Sequence, residues 1–327
     1  MRNLVCGALV AVLFSVASLE ALSDHVLSVC YDKTKASWAS SKVADMVVGA
    51  VYYQLAFIDE KGVPHVCDAK TGQLSKSVGG TWIDVGNSPS ADLECNDSCE
   101  WISWCTIKSE VYASNSLGQV AHLEGSQWKP IGAPSTEPLK IFSSCGRLHA
   151  LGTKTGDLKK WKQTFWEPVV GGSAFKCTPS EINISAAVDS NFRFSSPCAD
   201  KYGNVYALAN GGEGGEYEWL VKYCVKNQKW IGFKETFFNI SLGCLSICSD
   251  GTDVYAVTAG GYLLKFTGET FELVGNVEGY FYTADLRSYE NNLYAICSGI
   301  RKSSSGKGEF HCHLVQFSTI SPPAKKG

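Results

Sequence analysis

The sequence predicts an all-β chain built from one unit used several times, on three observations. First, the phrase Val111-Tyr112-Ala113 returns as Val205-Tyr206-Ala207, Val254-Tyr255-Ala256 and Leu293-Tyr294-Ala295, with Leu148-His149-Ala150 and Val51-Tyr52-Tyr53 as weaker copies. Second, each copy leads into a Gly-rich turn, a strand ending in Lys or His plus an apolar residue, a second turn, and a closing Trp or Phe followed by an apolar-Gly pair. This is clearest from 111 to 132, 148 to 171 and 254 to 275. Third, apolar stretches such as Tyr262-Leu263-Leu264-Lys265-Phe266 are short and bounded by Gly, Asn, Asp and Ser, residues that suit tight hairpins. No stretch after the leader sustains a helical apolar stripe. Four antiparallel strands per unit, repeated, is the layout of a β-propeller blade.

In chain order, Met1-Arg2-Asn3 and the apolar run Leu4 to Val16 read as a signal peptide over 1–17, with cleavage as late as 21 as the alternative. The run is short for a bilayer span, and no later stretch replaces it. Residues 18–320 then form a single six-bladed propeller. The repeated position falls at Tyr52, Tyr112, His149, Tyr206, Tyr255 and Tyr294, with spacings of 60, 37, 57, 49 and 39 residues, near the length of one blade. The last unit, ending at His311-Cys312-His313-Leu314-Val315-Gln316-Phe317, has no closing strand of its own. The segment from Leu27 to Trp38 resembles Leu220 to Trp230, so the N-terminal strand is expected to join the last blade and close the ring, leaving no loose sheet edge there. The closing aromatics are then Trp38, Trp82, Trp128, Trp166, Trp230 and Phe271. Residues 321–327, Ser-Pro-Pro-Ala-Lys-Lys-Gly, form a polar disordered tail.

This unit pattern resembles the kelch and tectonin-type propeller repeats over nearly the whole mature chain. The kelch Gly-Gly pair, however, occurs only as Gly79-Gly80, Gly171-Gly172, Gly211-Gly212 and Gly260-Gly261, at unequal places. The resemblance implies the architecture. Function does not follow from it, because propellers carry lectins, scaffolds, hydrolases, lyases and oxidases alike.

A signal peptide directs the chain outside the cell, and the triplets at Asn96, Asn183 and Asn239 fit glycosylation on that route. Fourteen cysteines, less Cys6 in the leader, leave thirteen, which in an oxidising compartment reads as several disulfides and one odd thiol. The candidate pairs are Cys95 with Cys99, Cys244 with Cys248 or with a neighbouring blade, and Cys297 with Cys312. The odd thiol makes a disulfide-linked dimer one expected assembly. A net charge of -3 with only five arginines argues against a nucleic-acid partner.

Of the nine tryptophans, those at closing positions are assigned to packing between blades. Trp101 and Trp104, the Phe192-Arg193 pair, and Tyr280, Tyr282, Asp285 and Arg287 fall elsewhere in their units and are the candidate ligand-binding residues. Aromatic faces beside charged side chains suit stacking on sugars. Strict alternation would put Tyr280, Tyr282 and Ala284 on one face of a strand and Asp285 on the other. No Gly-x-Ser-x-Gly, His-Glu-x-x-His or phosphate-loop motif occurs, so no catalytic residue or cofactor is assigned. His311 and His313 share a strand face without a third ligand near in sequence, and no metal site is assigned either. The expected function is a secreted, disulfide-stabilised recognition module that binds a glycan or an extracellular protein at the propeller rim. The alternative is a hydrolase or lyase with one active site in the central channel. The two differ in a checkable way: a repeat lectin repeats its polar residues from unit to unit, whereas an enzyme concentrates one asymmetric cluster.

Overall fold

The computed structural model describes residues 38–45, 53–68, 72–86, 88–93, 99–173, 193–211, 217–233, 244–258, 260–277, 282–302 and 308–319. After β1 (Trp38–Asp45), the first blade is β2 (Tyr53–Ile58), β3 (Pro64–Asp68), β4 (Leu74–Val78) and β5 (Thr81–Asp84). One helical turn, α1 (Pro89–Asp92), precedes the second blade of β6 (Trp101–Ile107), β7 (Glu110–Asn115), β8 (Val120–Glu124) and β9 (Gln127–Gly132). The third comprises β10 (Leu139–Ser144), β11 (Arg147–Gly152), β12 (Asp157–Trp161) and β13 (Trp166–Ser173). The fourth comprises β14 (Arg193–Ala199), β15 (Val205–Gly211), β16 (Tyr217–Cys224) and β17 (Lys229–Phe233). The fifth comprises β18 (Cys244–Ser249), β19 (Val254–Thr258), β20 (Tyr262–Phe266) and β21 (Phe271–Asn276). The sixth is β22 (Tyr282–Tyr289), β23 (Asn292–Lys302) and β24 (Gly308–Thr319), completed by β1, in the order β1-β24-β23-β22.

Each blade is an antiparallel four-stranded sheet, and its first strand touches the first strand of the next blade all the way round. The protein is therefore a six-bladed β-propeller. Ring closure takes the expected form: β1 pairs antiparallel with β24, Trp38 opposite Thr319 and Ser40 opposite Phe317.

Apolar burial lies between blades. Six clusters of buried side chains each draw on two neighbouring sheets, one cluster per interface. The last of these interfaces joins Leu55, Ile58 and Val66 of the first blade to Ala44, Tyr294, Ile296 and Leu314 of the sixth. Closing aromatics fill the wedge between fanning sheets: Trp128 and Trp230 are buried, and Trp82 and Trp166 are half-buried against the same clusters.

Two expectations need correction. In the first blade, Val51 and Tyr52 lie outside the described residues, and Tyr53 opens the inner strand β2. The place held elsewhere by the repeated Tyr belongs to His65 on β3, opposite Phe57. Cys67 sits on the same strand, the second of its blade. Finally, no disulfide is formed among the described residues. Cys297 stands opposite His313 and Cys312 opposite Ser298, so the two thiols point to opposite faces of the sheet. Cys244 and Cys248 are separated by roughly 12 Å of extended strand, beyond disulfide reach. Cys99 is buried, and its expected partner Cys95 lies outside the described residues, as do Asn96, Asn183 and Asn239.

Candidate functional site

The inner strand of every blade has one edge with no strand partner, so its outward N–H and C=O groups need partners of another kind. Side chains from neighbouring blades supply them. Ser103 Oγ accepts from Ile141 N at 2.9 Å and donates to Ile141 O at 3.1 Å. Ser246 Oγ accepts from Leu286 N at 3.0 Å. Ser114 and Ser288 donate to the carbonyls of Leu139 and Ser249.

The register shows which positions are equivalent. Opposite the second-strand ring of His65, Tyr112, His149, Tyr206, Tyr255 and Tyr294 stand Phe57, Cys105, Phe142, Cys198, Cys248 and Arg287 on the inner strands. Two residues earlier on each inner strand come Leu55, Ser103, Lys140, Ser196, Ser246 and Asp285. Five of the six inner strands carry a bulge near this level, that of blade three being regular. A bulge re-aims the side chains beside it. In blades four and six the residue at this level adopts positive φ, 48° at Ser196 and 54° at Asp285, a region in which short polar residues are tolerated.

Asp285 stands two residues before Arg287, as Ser103 stands before Cys105 and Ser246 before Cys248, although it sits in the bulge; it too serves the neighbouring backbone, its Oδ2 accepting from Leu55 N of the first blade at 3.3 Å. The chemistry differs. Its surface is partly exposed, yet protein packs closely around the carboxyl. Burial pushes its carboxyl above the usual range for aspartate, and Arg287, Lys140 and the bond from Leu55 N pull it only part of the way back. Arg287, on the same strand, donates from Nε to Ala56 O at 3.1 Å and from Nη1 to Leu286 O at 2.9 Å. Lys140, from the third blade, donates to Ile102 O at 2.6 Å. Burial holds its ammonium below the usual lysine range, and the charge of Asp285 partly offsets this. The thiols of Cys67, Cys105, Cys198 and Cys248 lie within electrostatic reach of Arg287, and burial keeps all four protonated.

Of the residues proposed from sequence, Asp285 and Arg287 meet in this cluster. Trp101 and Trp104 are buried in the interface between blades one and two, ring centroids 6.3 Å apart, and Trp101 Nε1 donates to Ser90 Oγ of α1 at 2.9 Å. Arg193 opens β14 at the surface. Tyr282 belongs to β22, although its side chain is outside the described set, and Phe192 and Tyr280 lie outside the described residues altogether. Lys140 is the residue that sequence reasoning missed. The only signal was its place in Leu139-Lys140-Ile141-Phe142, a charge inside an apolar strand.

No protein-family model and no curated protein matches this sequence. Among solved structures the chain is similar to virginiamycin B lyase from Staphylococcus aureus, with a TM-score of 0.55 at 8% identity over 86% of this chain and 100% of that one. It is also similar to a gluconolactonase from Xanthomonas campestris, with a TM-score of 0.55 at 7% identity over 88% of this chain and 92% of that one. At such identities the likeness concerns the fold: these are propellers, and they do not single out kelch or tectonin repeats.

Proposed function

We propose that this protein is exported and that its ring holds one small molecule in the central channel, where Asp285 transfers a proton to or from it in a hydrolase or lyase reaction. One observation carries the reading. In two other blades, a neutral serine at the same count along the inner strand latches the next inner strand, so a carboxylate is not required for a latch of this kind. A walled-in charge is costly to structure, and acids displaced from their ordinary range gather at sites of proton transfer. The cluster is also asymmetric: two residues before the one that faces the second-strand ring, four inner strands carry leucine or serine and the other two carry opposite charges, Lys140 and Asp285. A repeat lectin would carry matching polar groups in several blades. The leader over 1–17 and the three glycosylation triplets support export.

The test replaces Asp285 with the residue used in the other latches. Mature wild-type protein and Asp285→Ser are assayed against panels of esters, glycosides and compounds that undergo elimination. Turnover by wild type and a loss of about a hundredfold or more in the variant, with the fold unchanged by circular dichroism, is the expected result. Full activity in Asp285→Ser sinks the proposal. Glycan binding that Asp285→Ser leaves intact, with no turnover of any panel member, returns the function to the rim.

A further inference from the structure

We infer that the molecule held beside Asp285 is a monoanion, a small compound with one carboxylate or equally charged group, whose charged end faces Lys140 and Arg287 and whose polar uncharged end faces Asp285. This rests on the channel reading above and specifies its ligand.

The argument starts from unspent hydrogen-bonding capacity. An ammonium has three N–H donors, and Lys140 spends one on Ile102 O. A guanidinium has five, and Arg287 spends two on main-chain carbonyls. Neither cation forms an ion pair with a described residue. Asp285 accepts one long bond, which leaves most of its lone-pair sites open.

Charge balance then selects the ligand. Two cations and one carboxylate leave one positive charge uncompensated, and the four thiols within electrostatic reach of Arg287, held protonated, add none. One negative charge on the ligand brings the group to neutrality. A neutral ligand leaves the excess in place, and a dianion reverses it while Asp285 is ionised. Either residue of charge is disfavoured beside Lys140 and Asp285, whose charges surrounding protein already desolvates. The bonds to an anion are also the stronger kind, being charge-assisted on both sides.

The test uses small probes of matched size on the whole mature protein: acetate, acetamide and malonate, titrated against the thermal unfolding midpoint at pH 8 and constant ionic strength. Acetate is expected to act at a concentration roughly tenfold or more below acetamide, and below malonate. Lys140→Met should lose the preference for acetate and Lys140→Arg should keep it. Equal midpoints for acetate and acetamide in wild type overturn the inference without recourse to a variant, as does a Lys140→Met protein that still prefers acetate. The two readings fail separately. A Lys140-dependent acetate preference together with full turnover by Asp285→Ser keeps the monoanion site and removes the acid–base role. Loss of turnover in Asp285→Ser without any acetate preference does the reverse.

Discussion

Ser103 satisfies both the N–H and the C=O of Ile141, groups that face away from their own sheet, whereas Asp285 takes only the N–H of Leu55 and leaves a carboxylate oxygen unspent. The two residues therefore respond differently to replacement. Ser103→Ala strands a buried donor and acceptor and should cost about 1–3 kcal/mol in chemical denaturation. Asp285→Ser should instead stabilise the protein at neutral pH. The sign follows from linkage: the folded carboxyl titrates above its unfolded value, so the folded state binds more protons through that window and loses stability as pH rises across it. Wild type and variant should unfold at similar temperatures below the ordinary aspartate range, with the variant moving ahead as pH climbs. A variant less stable than wild type at pH 8 would refute this. The same residue marks how far the site was legible in the sequence. Asp285 and Arg287 stood out as charges beside aromatics, yet their surroundings did not. Strict alternation is broken by the extra residue between Ala284 and Arg287, and the partner Lys140 comes from a strand that runs 145 positions earlier (285 minus 140). A bulge has no sequence signature unless glycine makes it, and here Asp supplies the positive φ.

At the scale of single elements, the hairpins joining first and second strands share a device. Asp59 Oδ1 accepts from Lys61 N and Val63 N, Asp200 Oδ1 from Tyr202 N and Asn204 N, and Asp250 Oδ1 from Thr252 N and Asp253 N. The carboxylate replaces water on the inner amides of the turn and so fixes the register of the two strands it joins. Asp200 goes further: its Oδ2 also accepts from Asn204 Nδ2 at 2.8 Å and from Tyr206 Oη at 3.4 Å, which ties the hairpin to the repeated tyrosine. Asp200→Ala should therefore cost about 3 kcal/mol, seen as a lower denaturant midpoint with unchanged slope. Asp59→Ala, in a hairpin without those two side-chain bonds, should cost less, and equal losses would show that the turn amides alone carry the effect. These turns, each opening on Asp with a Gly within three residues, and the aromatic that closes each unit are why the fold was readable from sequence: both are local chemistry, written within a few residues. The first blade was misread for the same reason. Val51-Tyr52-Tyr53 copies the local phrase, but the strand pairing assigns that place to His65, and pairing is a property of the whole sheet.

The molecule as a whole depends on one long-range contact, the meeting of β1 with β24. Trp38 is buried in the interface between the fifth and sixth blades, edge-on to Tyr255 with ring centroids 5.4 Å apart, and its Cβ lies against Gly275. Ala44, at the other end of β1, joins the cluster between the sixth and first blades. One strand thus packs into two successive interfaces while completing a sheet whose other three strands come from the C-terminal end of the chain. Trp38→Ala should cost about 3–5 kcal/mol, the range for a buried aromatic removed from a core. Deleting residues 1–45 should do more than that, because it exposes the full edge of β24 as an unpaired template. The truncated protein is expected to elute as oligomers in size-exclusion chromatography with light scattering, while Trp38→Ala remains in the assembly state of wild type with a lower unfolding temperature. The site feels the same closure, since Leu55 and Ala56, which bond Asp285 and Arg287, belong to the blade that β1 helps hold against the sixth. Trp38→Ala should accordingly weaken acetate binding at temperatures well below its own unfolding, even though Trp38 touches neither Asp285 nor Lys140. Acetate affinity unchanged in Trp38→Ala would show that the inner strands hold their register without the closing strand.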